Sequence, residues 1–255
     1  MLETTVLERP YITITNVIWS YDQINDQLQL LLVKRADEPY ENYWALPETF
    51  MRTQESGETA VLRLIKEKIG LNLSSVHTEQ LGTFTNKLRA PDRRVLSLAY
   101  MTFLPEMPEL KAGYGALDAH WFSFSSHKGR FCLTHGQSRF YTAAEDDEAV
   151  YYEHLNALSP QTDLAFDHEW IVKSACQRIK NKLDYQPNIL LVLGDTFTLK
   201  KARSVFAAFL QLPIVKIDNS NFKKTHQHLF QEVGTSNSRY KGRPAKLYHL
   251  SYLIE

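Results

Sequence analysis

An α+β chain in two modules is what the sequence predicts, and three observations carry the prediction. Residues 11–124 alternate like strands around one amphipathic helix, residues after 160 show helical periodicity, and the charge changes sign at the same point. The 255 residues hold 29 Lys plus Arg against 29 Asp plus Glu. Residues 161–255 nevertheless carry 14 bases against 8 acids, a balance of +6, and residues 1–160 carry 15 against 21, a balance of −6. The neutral total is a sum of opposite halves: an acidic module joined to one whose charge suits a polyanion. The expected domains are 1–160 and 161–255, with Ser159, Pro160 and Gln161 as turn residues between them.

The elements follow in order. Residues 11–20 and 28–33 read as two strands of a hairpin, joined by a polar turn at 22–27. Residues 57–69 read as a helix, with Val61, Ile65 and Ile69 spaced four apart, Ser56 as cap and Gly70 as stop. Strands are expected near 79–86, 95–104 and 120–123. Residues 126–155 read as an insertion, an added hairpin or lobe, whose acidic cluster Glu145, Asp146, Asp147 and Glu148 is a solvated loop rather than a metal site. Residues 167–183 read as a long connecting helix started by Asp167 and His168, with Asp167 capping backbone amides and His168 in a structural hinge role. Then come a helix at 197–210, a break at Pro213, a basic helix from Asn219 to about Val233, a basic loop at 234–242 and a strand at 246–253. Helix, turn, basic helix and returning strand is the layout of a winged helix-turn-helix.

Composition excludes several classes. At 44% hydrophobic residues the chain has material for genuine cores and is neither disordered nor collagen-like. No basic segment followed by an apolar run opens the sequence, and the longest aliphatic run, 189–193, is far short of the ~20 residues that span a bilayer. A cytoplasmic protein without a membrane partner is the expectation. Cys132 and Cys176 are too few for a disulfide scaffold or a four-thiolate zinc site and read as buried apolar residues.

Residues 46–71, LPETFMRTQESGETAVLRLIKEKIGL, carry a motif. They resemble the signature of the Nudix family, with Glu55, Arg63, Ile65, Glu67, Gly70 and Leu71 in place. Three anchors differ: Thr49 stands for Gly, and Leu64 and Lys68 stand for Glu. Magnesium requires clustered hard carboxylate oxygens beside the substrate's diphosphate, and carboxylates four apart on a helix provide them. Leu64 and Lys68 remove them, so no catalytic residue, metal or cofactor is expected, and Arg63 and Glu67 remain as a helix pair. LLVKR at 31–35, WALP at 44–47, PDRRVLSLAY at 91–100 and HWFSF at 120–124 are similar to further family segments, which implies an α/β/α sandwich with a mixed sheet.

LAFDH at 164–168, NSNFKK at 219–224 and GRPAKLY at 242–248 resemble one subgroup, the Nudix-related transcriptional regulators of NAD metabolism, in which a non-catalytic Nudix domain precedes a winged helix. The resemblance implies a dimeric repressor of NAD synthesis or salvage genes that releases its operator on binding ADP-ribose; related regulators serve sugar utilisation. The expected effector site is Arg35, Phe50, Arg63, Glu67 and Arg94, the arginines for phosphate oxygens. The expected reading surface is Asn219, Asn221, Lys223, Lys224, His226 and Gln227 for base edges, with Arg239, Lys241, Gly242 and Arg243 forming a wing over a palindromic double-stranded operator. Between 219 and 246 there are six bases and one acid, and Arg243→Ala is expected to weaken operator binding in a gel-shift titration. His226 and His228, two apart, cannot chelate one metal from a helix. Two rival readings stand: a working hydrolase of ADP-ribose-type nucleoside diphosphates drawing metal ligands from Glu55, Glu67 and acids outside the motif, its C-terminal module only aiding dimerisation, and a binding module without either activity.

Overall fold

The computed structural model describes residues 9–73, 76–155, 158–236 and 244–253. Strands β1 (Tyr11–Asp22) and β2 (Gln27–Arg35) form the expected hairpin. The short strands β3 (Trp44–Ala45) and β4 (Glu48–Phe50) flank them, and helix α1 (Gly57–Ile69) follows. Strands β5 (His77–Phe84), β6 (Val95–Phe103), β7 (Ala116–His127), β8 (Arg130–His135) and β9 (Ser138–Tyr141) complete a sheet in the order β5-β6-β1-β2-β7-β8-β9. The β1–β6 pair is parallel and its neighbours are antiparallel, so the sheet is mixed.

Strand alternation sorts the core into two faces. Ile14, Ile18, Leu31 and Val33 face α1, where Ala60, Val61, Leu64, Ile65 and Ile69 are buried. Val17, Trp19, Tyr21, Leu30 and Leu32 face the opposite way, against Ile171, Val172, Ala175, Cys176 and Ile179 of α3 (His168–Lys182) and Phe206 and Phe209 of α4 (Leu199–Leu210). The result is an α/β/α sandwich whose second helical layer comes from the C-terminal half of the chain. Trp19, Phe124 and Phe209 meet with ring centroids 5.0 to 5.5 Å apart. Cys132 and Cys176 are buried free thiols.

Residues 126–155 take the hairpin form of the expectation, β8 with β9, rather than that of a separate lobe. The end of β7, with β8 and β9, widens the same sheet, and α2 (Glu148–His154) tucks Tyr151 against Trp170. The acidic cluster serves this packing: Asp147 caps α2, and Asp146 pairs with Lys173 at 2.8 Å.

The C-terminal part holds a 3-10 segment (Asn188–Leu193), α4, α5 (Asn219–Thr225) and an antiparallel hairpin of β10 (Phe230–Thr235) and β11 (Lys246–Leu250). This is the winged-helix layout. The basic helix is shorter than its sequence suggests. Asp218 caps it as the chain enters, but the helix ends at Thr225 and Phe230–Thr235, with its aromatic and β-branched residues, pairs as a strand instead. Among the described residues no helix is long and apolar enough to cross a membrane.

Candidate functional site

A cavity of about 240 Å³ opens where the strap before β3, the start of β4 and the end of α1 converge. Its walls include Arg35, Phe50, Lys68, Arg93 and Phe166, with Glu48 and Arg89 beneath. Helix α1 is set by its ends. The Ser56 hydroxyl accepts from the Thr59 amide at 3.2 Å, and Gly70 stops the helix at φ 75°. The segment after β6 then closes over the C-terminus of α1, where the amides of Gly113 and Tyr114 donate to the carbonyls of Lys68 and Glu67.

The surviving carboxylates of the motif are held by arginines. Arg63 donates to both oxygens of Glu55 (2.8 and 2.6 Å), to Glu67 (2.8 Å), to the Thr49 hydroxyl (3.1 Å) and to the Phe50 carbonyl (2.8 Å). Arg52 takes the other oxygen of Glu67 at 2.9 Å. The bond from Arg63 lowers the Glu55 pKa to about 2, despite burial. Burial also opposes the charged form of Glu67, but its bonds to Arg63 and Arg52 outweigh this and lower its pKa. Leu64 and Lys68 do not share an environment, contrary to the single face the spacing suggests. Leu64 is fully buried against the sheet, whereas Lys68 lines the cavity.

Below the cavity lies a polar layer that sequence reasoning missed. Glu48 accepts from Thr15 (2.7 Å) and Thr13 (3.1 Å) and lies 3.7 Å from Arg89 and 3.9 Å from Nε2 of His168. Burial alone would raise the Glu48 pKa; His168, Arg89 and Thr15 reverse that and hold it far below the carboxylate range. Arg89 meets Asp167 in a buried bidentate pair (3.0 and 2.9 Å), and the Tyr152 hydroxyl donates to Asp167 at 2.7 Å. Asp167 does stand at the start of α3, but its side chain makes no capping bond, because Arg89 and Tyr152 occupy it. His168 is fully buried and its Nδ1 accepts the Leu46 amide at 3.0 Å, which ties the start of α3 to the link between β3 and β4.

Of the effector-site residues expected, Arg35 and Phe50 line the cavity. Arg63 and Glu67 sit beside it, paired with each other. Arg94 is turned away onto the carbonyls of Thr85 and Asn86, and its neighbour Arg93 reaches the cavity instead. Arg93 lies in a bend and Arg94 at the entry to β6, and the two adjacent side chains leave the chain in different directions.

On the C-terminal part, Asn221, Lys223, Lys224 and Gln227 are exposed, and Asn219 accepts from Arg203 at 3.3 Å. His226 departs from expectation. It is buried, lies beyond the end of α5, and bonds the Phe222 carbonyl (2.9 Å) and Asp184 (3.0 Å), so it holds the turn and offers nothing to a partner. Arg239, Lys241, Gly242 and Arg243 lie outside the described residues.

Comparison with known proteins places these features. The NUDIX domain model matches residues 18–143, and the model of the NrtR DNA-binding winged helix domain matches residues 189–250. The crystal structure of a MutT/nudix family protein from Enterococcus faecalis superposes with a TM-score of 0.83 at 35% identity, covering 98% of this chain and 89% of that one. Shewanella oneidensis NrtR, solved with a 27mer DNA, shares the fold at a TM-score of 0.63 and 23% identity over 94% of this chain and 93% of its own. The ADPR responsive transcriptional repressor NtrR of Acinetobacter baylyi is 26% identical over 95% of this chain and 82% of its own length. The chain therefore belongs to the Nudix family, and within it joins a Nudix domain to a winged helix of the NrtR type.

Proposed function

We propose that this protein is a dimeric, DNA-binding repressor of NAD synthesis or salvage genes whose Nudix cavity binds ADP-ribose without hydrolysing it. The observation that carries this reading is the shared core: α4 of the winged helix packs directly on the sheet that bears the cavity. Strand β1 spans the distance, with Thr13 and Thr15 on Glu48 at one end and Trp19 and Tyr21 against Phe209 and Ser204 at the other. A ligand that favours one placement of β1 and Glu48 biases the placement of α4, and in a dimer this misaligns the two reading helices with a palindromic operator. Support for the non-catalytic part comes from Glu55 and Glu67, whose oxygens already serve Arg63 and Arg52. On the reading surface Asn221, Lys223, Lys224 and Gln227 remain as exposed contacts to DNA, and Arg239, Lys241, Gly242 and Arg243 remain proposed for the wing.

The test is a gel-shift titration with genomic fragments selected by the protein itself. DNA affinity is expected to fall steeply with salt, as phosphate contacts require, and ADP-ribose is expected to release the DNA. Absence of salt-sensitive DNA binding would refute the regulator reading. Magnesium-dependent release of AMP from ADP-ribose, lost in Glu67→Gln, would establish the hydrolase instead.

A further inference from the structure

We propose that Lys68 takes the place of the divalent cation of a catalytic Nudix box, so that the cavity holds the diphosphate of its ligand on protein cations alone. The inference rests on the effector reading above and adds how the ligand is held.

The residues that remain do not fit a metal. Leu64 is in the apolar core, and both Glu55 and Glu67 would have to leave Arg63 to reach an ion. Among the described residues no three His, Cys, Asp or Glu side chains gather as metal ligands. The cation of the cavity is instead built in. Lys68 forms no salt bridge within 4.0 Å among the described residues, and its ammonium lies 5.7 Å from the Tyr114 ring centroid. Space beside it is kept open by Gly115: a Cβ there would lie 2.8 Å from the Lys68 nitrogen, and its φ of +71° also favours glycine. Arg35 lines the same cavity, stacked 4.8 Å over Phe166 and bonded through Nε and Nη2 to the Pro39 and Asp37 carbonyls, with no bond to Nη1 among the described residues. Arg93 also lines the cavity, paired with Asp92. Burial and the proximity of Arg35 lower the Lys68 pKa, against the opposing pull of Asp37, Glu48 and Glu67. Asp37, Glu38, Glu48 and Asp92 also line the cavity, and Arg89 and Arg93 are paired with Asp167 and Asp92 at 2.9 and 2.6 Å, so Lys68 and Arg35 are the cations left to meet an added anion. An ammonium supplies charge to a diphosphate as a compact point charge. It cannot lower the pKa of a water as a metal does, so a ligand held in this way is bound without an activated nucleophile beside it.

The experiment is calorimetric titration of the full chain in EDTA with ADP-ribose and, separately, with inorganic pyrophosphate. The wild type is expected to bind both, with a Kd unchanged by added magnesium. Lys68→Gln is expected to weaken both by about 10- to 100-fold, the range of a charge-assisted hydrogen bond, while Lys68→Arg stays within a few fold and both variants melt as the wild type does. Lys68→Glu is expected to bind neither ligand, with or without magnesium. A magnesium requirement in the wild type, or wild-type affinity in Lys68→Gln, overturns the assignment, as does failure of both ligands to bind in EDTA. If pyrophosphate behaves as stated and ADP-ribose does not bind, the effector reading falls and the role of Lys68 stands.

Discussion

Arg63 shows how one side chain decides what a motif can do. Its guanidinium joins Glu55, Glu67, Thr49 and the Phe50 carbonyl, so the substitution of Gly by Thr49 gains a bond as it departs from the signature. Arg63→Ala strands two carboxylates and is expected to cost about 2 kcal/mol of stability at neutral pH, read from urea melts. Because the folded pKa of Glu55 is depressed from 4.5 to about 2, its contribution is present above pH 4.5 and is lost as pH falls toward 2. The difference between wild type and Arg63→Ala is therefore expected to shrink across that window; a constant difference would contradict the pairing. At Arg89 the stakes are higher. Its removal leaves the Asp167 carboxyl fully buried without its ion partner, and Arg89→Ala is expected to cost about 3 to 5 kcal/mol by the same measurement. The motif itself was legible in the sequence because its spacing is local. The Arg89–Asp167 pair was not, since 78 positions separate the partners and only the fold brings them together.

Among the elements, α1 and the first strands were readable because caps and periodicity are written in adjacent residues: Ser56, Gly70, and Val61, Ile65 and Ile69. Helix α5 was misread at its C-terminal end, because Phe222, Leu229 and Phe230 fit a helical stripe as well as they fit a helix, a turn and a strand. What decides is tertiary: the buried His226 and the partner strand β11. The closing of α1 by the segment after β6 was equally hidden, and it depends on Gly113, where a Cβ would collide with the Glu67 carbonyl. Gly113→Ala is expected to destabilise by about 1 to 3 kcal/mol through forced displacement of that segment. The thermal melt of this variant, compared with the wild type, checks it; an unchanged melting temperature would show that the closure is not under load.

For the whole molecule, the charge split and the periodicities predicted an α+β chain in two modules with a winged-helix layout, and the Nudix resemblance implied a sandwich; the structure has that form. They did not predict that the second layer of the sandwich is built from α3 and α4, which ties the cavity and the winged helix into one core. That continuity is the physical content of the proposed regulation. Phe209→Ala, which empties the contact with Trp19 and Phe124, is expected to cost about 3 to 5 kcal/mol. Coupling between the two sites must be reciprocal: if ADP-ribose weakens DNA binding by a given factor, DNA weakens ADP-ribose binding by the same factor. The most direct measurement is the ADP-ribose Kd of the free protein and of the protein saturated with its selected DNA, under one buffer and salt. A Kd raised on DNA by the factor that ADP-ribose imposes on DNA affinity is the predicted result. An identical Kd in the two states would contradict the account.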